Sequence, residues 1–416
     1  MSKNRTVALA GTLDTKGPEY EFVKARILEA GADVIMIDTG VLGAPYFKPD
    51  ISAEEVAAAA GAKLEDLRTG REGSDTRAVA CTTMSNGLLK ILKGLIADGK
   101  CGAVLGLGGT GGTTLLSMAM KQLPLGFPKF LVSTVASGNT REYVGTSDIT
   151  MMNSVTDIAG LNRISALVLA NAAHAAAGMA MNYATTQKYA EGSKPLIAMT
   201  MFGVTTPAVL RVREGLEKRG FDVIVFHAVG QGMAMEELVN AGVVDGVVDM
   251  TLPELINYKN GGIFSAGPDR MNAASDKGIP LVIVPGAIEC FNFGPVNSIP
   301  EKYNTPERKV IIHNPTITSL LASQEELVEL GIYVAEHANK AKGPVAVLFP
   351  LLGLDKYMAP GSPWFGPEYI KPLFDAIRSK LDKKIPLIEL EKHINDAEFA
   401  DAALEAFLKV WEQRKK

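Results

Sequence analysis

TVALAGTLDTKGPEYEFVKARILEAGADVIMID, residues 6–38, decides how the chain is read. TVALAG and DVIMID are short runs rich in branched apolar residues. Between them Phe22, Val23, Ile27 and Leu28 recur at helical spacing, and Gly31 can close the helix. Strand, helix and strand in that order build a parallel α/β sheet, with polar loops at the carboxyl ends of both strands.

The same grammar continues outward. Residues 74–98 read as a long helix, CGAVLGLGG and KFLVSTVAS as the next strands, and 154–181 as one or two buried alanine-rich helices. Asp148 is expected to cap a helix that carries Asn153, Asp157 and Arg163. EGSKP then punctuates the chain and the pattern restarts with PLIAMTMFGVTTPAVLRVREGLEKRGFDVIVFH, residues 195–227, with Thr206 as the expected cap of a helix from Pro207. Later strands are expected in DGVVDM, PLVIVPG, RKVIIHN, PVAVLFP and PLIEL, and helices over 231–240, 323–339, 367–379 and 396–411. The expectation is an α/β protein of two Rossmann-like domains with mostly parallel sheets, 1–190 and 191–416.

Bulk properties narrow the class. At 416 residues, 47% of them apolar and 21% charged, the chain is an ordinary globular protein long enough for two domains. A net charge of −4 speaks against a broad nucleic-acid surface or a polybasic membrane face. The three cysteines lack paired or metal-finger spacing, no secretory signal is evident and no charge-free run is read as long enough to span a membrane. A cytoplasmic protein without membrane or direct nucleic-acid contact is expected.

The polar residues gather at strand ends, where open parallel sheets bind ligands. GTLDTKG places Asp14 and Lys16 in one loop after the first strand, Asp14 as a magnesium ligand or helix cap and Lys16 as a phosphate cation. LGLGGTGGTTLL, 105–116, is read as a strand ending near Leu107 and a helix from Thr113. Amides of Gly108, Gly109, Thr110, Gly111, Gly112 and Thr113 would then cradle a small anion, although the lysine of a P-loop is missing. Arg141 is a further anion contact or simply a surface partner of Glu142. His227 ends a strand before the glycines of HAVGQGMAMEEL, Glu289 lies in PGAIECFNFG and His313 in HNPTIT. These three could serve as base and partner in an interdomain cleft, whereas a zinc site is disfavoured because no short-spaced ligand pair exists. LGLDKYMAPGSPWFGPEYI reads as a cover or interface loop.

Taken together, GTLDTKG, GLGGTGGT, GTSDIT, VTDIAGLN, HAVGQGMAMEEL, PGAIECFNFG and HNPTIT resemble the UPF0261 family, whose members are similar to the amino-terminal ATP-binding region of the plant Tm-1 virus-resistance protein. The resemblance implies two Rossmann-like subdomains, ATP binding and a homodimer. It also implies a separately encoded barrel-domain enzyme as partner, because the plant protein continues into such a barrel. Val229, Gln231 and Met233 depart from the family's polar and glycine pattern, as do Glu289 and Cys290. The resulting expectation is an ATP-binding protein using magnesium. The alternatives are a metabolic enzyme for a small carboxylate, phosphate or acyl compound, and a nucleotide-stabilised scaffold.

Overall fold

The computed structural model describes residues 5–69, 74–190, 192 and 194–414. The chain divides into two compact units, 1–192 and 193–416. The expected junction falls at the edge of the described residues, with Glu191 outside them.

The first unit holds strands β1 (Thr6–Gly11), β2 (Asp33–Asp38), β3 (Ala103–Gly108), β4 (Lys129–Ser133) and β5 (Ile149–Asn153). Its helices are α1 (Leu13–Glu29), α2 (Ala53–Ala59), α3 (Leu64–Thr69), α4 (Ser74–Ala97), α5 (Thr110–Met120), α6 (Arg141–Val144) and α7 (Arg163–Thr186). The sheet order is β2-β1-β3-β4-β5, and every pairing is parallel. Alternation along β1 sends Val7 and Leu9 into one apolar layer and Ala8 and Ala10 into the other. Both faces of the sheet are thus covered, which is why its strands read as nearly continuous apolar runs.

In the second unit the strands are β6 (Leu196–Met201), β7 (Asp222–His227), β8 (Gly246–Thr251), β9 (Leu281–Gly286), β10 (Cys290–Phe293), β11 (Val310–Asn314), β12 (Ile317–Leu321), β13 (Val345–Pro350) and β14 (Leu387–Leu390). Helices α8 (Thr206–Glu217), α9 (Gly232–Asn240), α10 (Pro253–Asn260), α11 (Ala273–Lys277), α12 (Gln324–Asn339), α13 (Pro367–Lys380) and α14 (Ala397–Glu412) complete it. The parallel sheet runs β14-β13-β9-β8-β6-β7, the first unit's order with one strand added. A small antiparallel sheet, β10-β12-β11, follows β9.

Four local expectations are corrected. ITMMN is the strand β5 rather than a helix, and Asp148 accepts the Gly126 N–H at 2.8 Å instead of capping one. At a sheet edge β5 is only half covered, so its apolar pattern is weak. Thr205, not Thr206, precedes α8, and its side chain makes no cap. The glycine turn is tighter than expected: β3 reaches Gly108 and α5 begins at Thr110, leaving only Gly109 between them. Finally, a 27-residue helix, Arg163–Tyr189, is apolar enough to span a membrane by length and composition, with a mean hydropathy of 1.5. Its alanines 172, 173, 176, 177 and 180 are buried, and α7 packs on α1, β1, β3 and β4, the behaviour of a core helix.

Candidate functional site

In the first unit the chain leaves β1 toward β2 on one side and reaches β3 on the other. The reversal of strand order opens a crevice beyond the carboxyl ends of β1 and β3. Tyr20 holds those two ends together from within. Its hydroxyl lies 2.8 Å from the Ala10 carbonyl and 2.9 Å from the Leu107 carbonyl, and accepts the Leu107 N–H at 2.9 Å. A Cβ on Gly11 would fall 1.6 Å from that hydroxyl, so only glycine fits there.

The cleft encloses about 930 Å³. Asp14 and Lys16 line it from the first turn of α1, which breaks from helical geometry at Lys16 (φ −130°, ψ 28°) just before Gly17 and Pro18. Asp14 is the only acidic residue among the described residues of the lining. Its Oδ2 accepts the N–H groups of Leu42 (2.7 Å) and Gly43 (3.2 Å) and so fastens the loop after β2. Its Oδ1 is buried and makes no hydrogen bond, and the same is true of the Thr39 hydroxyl in the same lining. Lys16 Nζ donates to the Ile158 carbonyl.

Across the cleft stands the amino end of α5. Its N-cap is Gly109, which brings no side-chain acceptor, so the first-turn N–H groups of this helix have no side-chain cap. Gly109, Thr110, Gly111 and Gly112 all line the cleft. Gly108 and Thr113 do not. Gly108 is there for packing, since a Cβ would meet the Thr113 nitrogen at 2.7 Å. The Thr113 hydroxyl contacts the Gly108 carbonyl (3.3 Å) and Ser133 Oγ (2.6 Å), fastening α5 to β3 and β4. Arg141 is exposed on α6, outside the cleft lining.

Arg77, from α4, is a cation the sequence reading did not single out. It lines the cleft, and its Nη2 would lie 3.3 Å from a Cβ on Gly111. No local signal marks it, because α4 comes to α5 only through tertiary packing. Leu67, Ala80, Met84 and Leu115 form an apolar wall with half-buried Cys81 among them.

The second unit closes its corresponding crevice with its own side chains. Beyond β8, where the first unit has its glycine turn, stand Leu252, Pro253 and Glu254. Glu254 Oε1 accepts the N–H groups of Gly230 (2.8 Å) and Gly232 (2.9 Å), the very donors of HAVGQGM that resemble an anion site. Its Oε2 pairs with Nε of Arg270 at 2.8 Å. The fully buried Arg270 also engages Asp249 at 2.7 Å and Glu236 at 3.4 Å. The anion of this glycine turn is therefore an internal carboxylate.

The three catalytic candidates have different surroundings. His227 is exposed at the end of β7, its ring 6.1 Å from that of Phe202. His313 is exposed on β11, with Nδ1 3.0 Å from the Tyr357 hydroxyl. Glu289 is fully buried, and neither of its oxygens has a hydrogen-bond donor. Its neighbour is a second buried carboxyl, Asp355, whose Oδ1 takes the N–H groups of Tyr357 and Met358 while Oδ2 has no donor. Burial pushes Asp355 up to about 7; burial and then Asp355 raise Glu289 well above the carboxylate range. Such a pair shares a proton, because two adjacent buried carboxylates cannot both ionise. Among the described residues no cluster of three or more His, Cys, Asp or Glu side chains could hold a metal.

Residues 5–185 match the N-terminal domain, and residues 194–411 the C-terminal domain, of the uncharacterised protein family UPF0261. A UPF0261 protein of Clostridium tetani is 42% identical over 99% of this chain and 100% of its own length. One from Rhizobium meliloti is 37% identical over 97% of this chain and 98% of its own. The ToMV resistance protein Tm-1 of Solanum lycopersicum is 40% identical over 81% of this chain, a match that covers 45% of the tomato protein. With both units matched in order and relatives similar from end to end, the chain belongs to the UPF0261 family.

Proposed function

We propose that the first unit binds ATP with magnesium in the cleft between the carboxyl ends of β1 and β3. The observation that carries this reading is one cleft shared by the amino end of α5, which has no side-chain cap, by Arg77 beside Gly111 and by Lys16. Helix N-termini attract phosphate through free N–H groups and the helix dipole. The apolar wall of Leu67, Ala80, Met84 and Leu115 suits a nucleobase, and about 930 Å³ accommodates a nucleotide. Asp14 fits magnesium: its buried Oδ1 lacks a partner, and this ion takes one or two carboxylates with phosphate oxygens and water completing its shell. Magnesium there would neutralise phosphate charge.

The resemblance to the Tm-1 region supports the choice of nucleotide. We read the protein further as a cytoplasmic homodimer working beside a separately encoded barrel-domain enzyme; its three free cysteines suit a reducing compartment.

Isothermal titration with ATP and magnesium, with ADP, AMP and NAD as comparison ligands, tests the proposal. Saturable ATP binding weakened about tenfold or more by Lys16→Ala and Arg77→Ala is expected, the loss of a charged hydrogen bond in each case. Unchanged affinity in Asp14→Ala, Lys16→Ala and Arg77→Ala would overturn the assignment. Binding without turnover would favour a nucleotide-stabilised scaffold over an enzyme.

A further inference from the structure

We propose that a small neutral polyhydroxyl compound, of the sugar or polyol class, binds in a second cleft of about 480 Å³ beyond the carboxyl ends of β3, β4 and β5. This cleft shares Gly109 and Thr110 with the nucleotide cleft, so one glycine turn separates two ligand spaces. Its placement beside a nucleotide's phosphates rests on the proposed function; its occupancy does not.

The lining chooses the class of ligand. Thr134, Ser137, Asn153 and Asp157 offer hydroxyls, an amide and a carboxylate, and no lysine or arginine is among the described residues that line it. The nucleotide cleft sorts oppositely, with Lys16 and Arg77. An anionic ligand in the second cleft would meet the Asp157 carboxylate, offset only by the shared amino end of α5 and by no lysine or arginine among the described lining residues. A hydroxylated neutral molecule can donate to Asp157 and exchange hydrogen bonds with the hydroxyls and amide.

The loop after β5 is held ready for such a ligand. Asn153 Oδ1 accepts the Val155 N–H at 3.1 Å, and Ser154 Oγ donates to the Thr156 carbonyl at 2.6 Å. These bonds keep Val155 at φ +64°, where a β-branched residue is rare, and the residue is 69% exposed. Beside it the Thr156 hydroxyl is buried without a hydrogen-bond partner. That hydroxyl is shielded from solvent, so the groups left to meet a ligand are those of Thr134, Ser137, Asn153 and Asp157, beside a backbone strained at Val155.

The test is saturation-transfer NMR on the nucleotide-free full chain with glycerol, D-ribose and myo-inositol as probes, and acetate and ethanolamine as charged comparisons. At least one polyol should bind saturably, weakened tenfold or more by Asp157→Ala and several-fold by Ser137→Ala, while ATP affinity in those variants stays within twofold of wild type. Arg77→Ala should do the reverse. Failure of all three polyols to bind, stronger binding of acetate or ethanolamine, or a polyol affinity indifferent to Asp157→Ala would each overturn the proposal. If ATP does not bind while a polyol does, the nucleotide reading alone falls.

Discussion

Arg270 grips Asp249 with both arms of its guanidinium, Nη1 to Oδ2 and Nη2 to Oδ1 each at 2.7 Å, with no solvent exposure on the arginine side chain. Asp249 also takes the Thr200 hydroxyl at 2.7 Å, so the pair ties β6 to β8 where the first unit has its ligand cleft. Arg270→Met would leave Asp249 and Glu254 buried without their cation. A loss of about 3–5 kcal/mol is expected, read from urea denaturation. Arg270→Lys should recover only part of it, since an ammonium cannot reproduce the planar fork.

The Glu289–Asp355 pair predicts a pH dependence. The folded chain holds a proton there that the unfolded chain releases at ordinary carboxylate pKa, so folding is favoured at low pH and weakened as pH rises. For Asp355 the contribution is fully present below 3.8 and lost on passing about 7; Glu289 extends the loss to higher pH. The slope is about 1.4 kcal/mol per pH unit for each proton held only by the folded state. Urea midpoints of wild type should therefore fall between pH 5 and 8, and Glu289→Gln should flatten that fall. Parallel profiles would mean that the pair shares no proton.

The glycines at and around the cleft beyond β1 and β3 divide by what a methyl group would meet. Gly11→Ala strikes the Tyr20 hydroxyl, and Gly108→Ala strikes backbone atoms of Gly112 and Thr113 at 2.7–2.9 Å. Each should cost about 1–3 kcal/mol or more. In Gly112→Ala the nearest atom is the Leu107 carbonyl at 3.5 Å, an ordinary contact. That variant should stay within about 0.5 kcal/mol of wild type or gain slightly from helix propensity. Chemical denaturation of the three variants separates these outcomes.

Cys81 lines the cleft beyond β1 and β3 and is half-buried, whereas Cys101 and Cys290 are 1% and 0% exposed. A maleimide should therefore label Cys81 first. Burial raises its thiol, so the rate should climb with pH as thiolate forms. Saturating ATP with magnesium should slow labelling about tenfold when present at ten times its Kd, by simple occupancy. Peptide mass spectrometry reads the site and the rate; protection of Cys81 by AMP as strongly as by ATP would show that the phosphates contribute little.

Local sequence pattern was enough to reveal the alternation of strand and helix, the restart near residue 195 and the glycine-rich entry to α5. Those features are written in local periodicity and in glycine and proline punctuation, which act over a few residues. It also marked Asp14, Lys16 and Gly108 through Thr113 as residues at strand ends, where α/β sheets bind ligands; of these Gly108 and Thr113 fall outside the cleft lining. Tertiary structure alone decided which glycine turn stays open. HAVGQGM and LGLGGTGG are alike as sequence, but Glu254 and Arg270 come from distant segments to occupy the first, while no side chain among the described residues caps the amino end of α5 in the second. Arg77 reaches its cleft, and Asp355 reaches Glu289, by the same long-range route. Strand order and helix packing set those meetings, and they depend on burial and charge pairing between segments whose separation in the chain leaves no local trace.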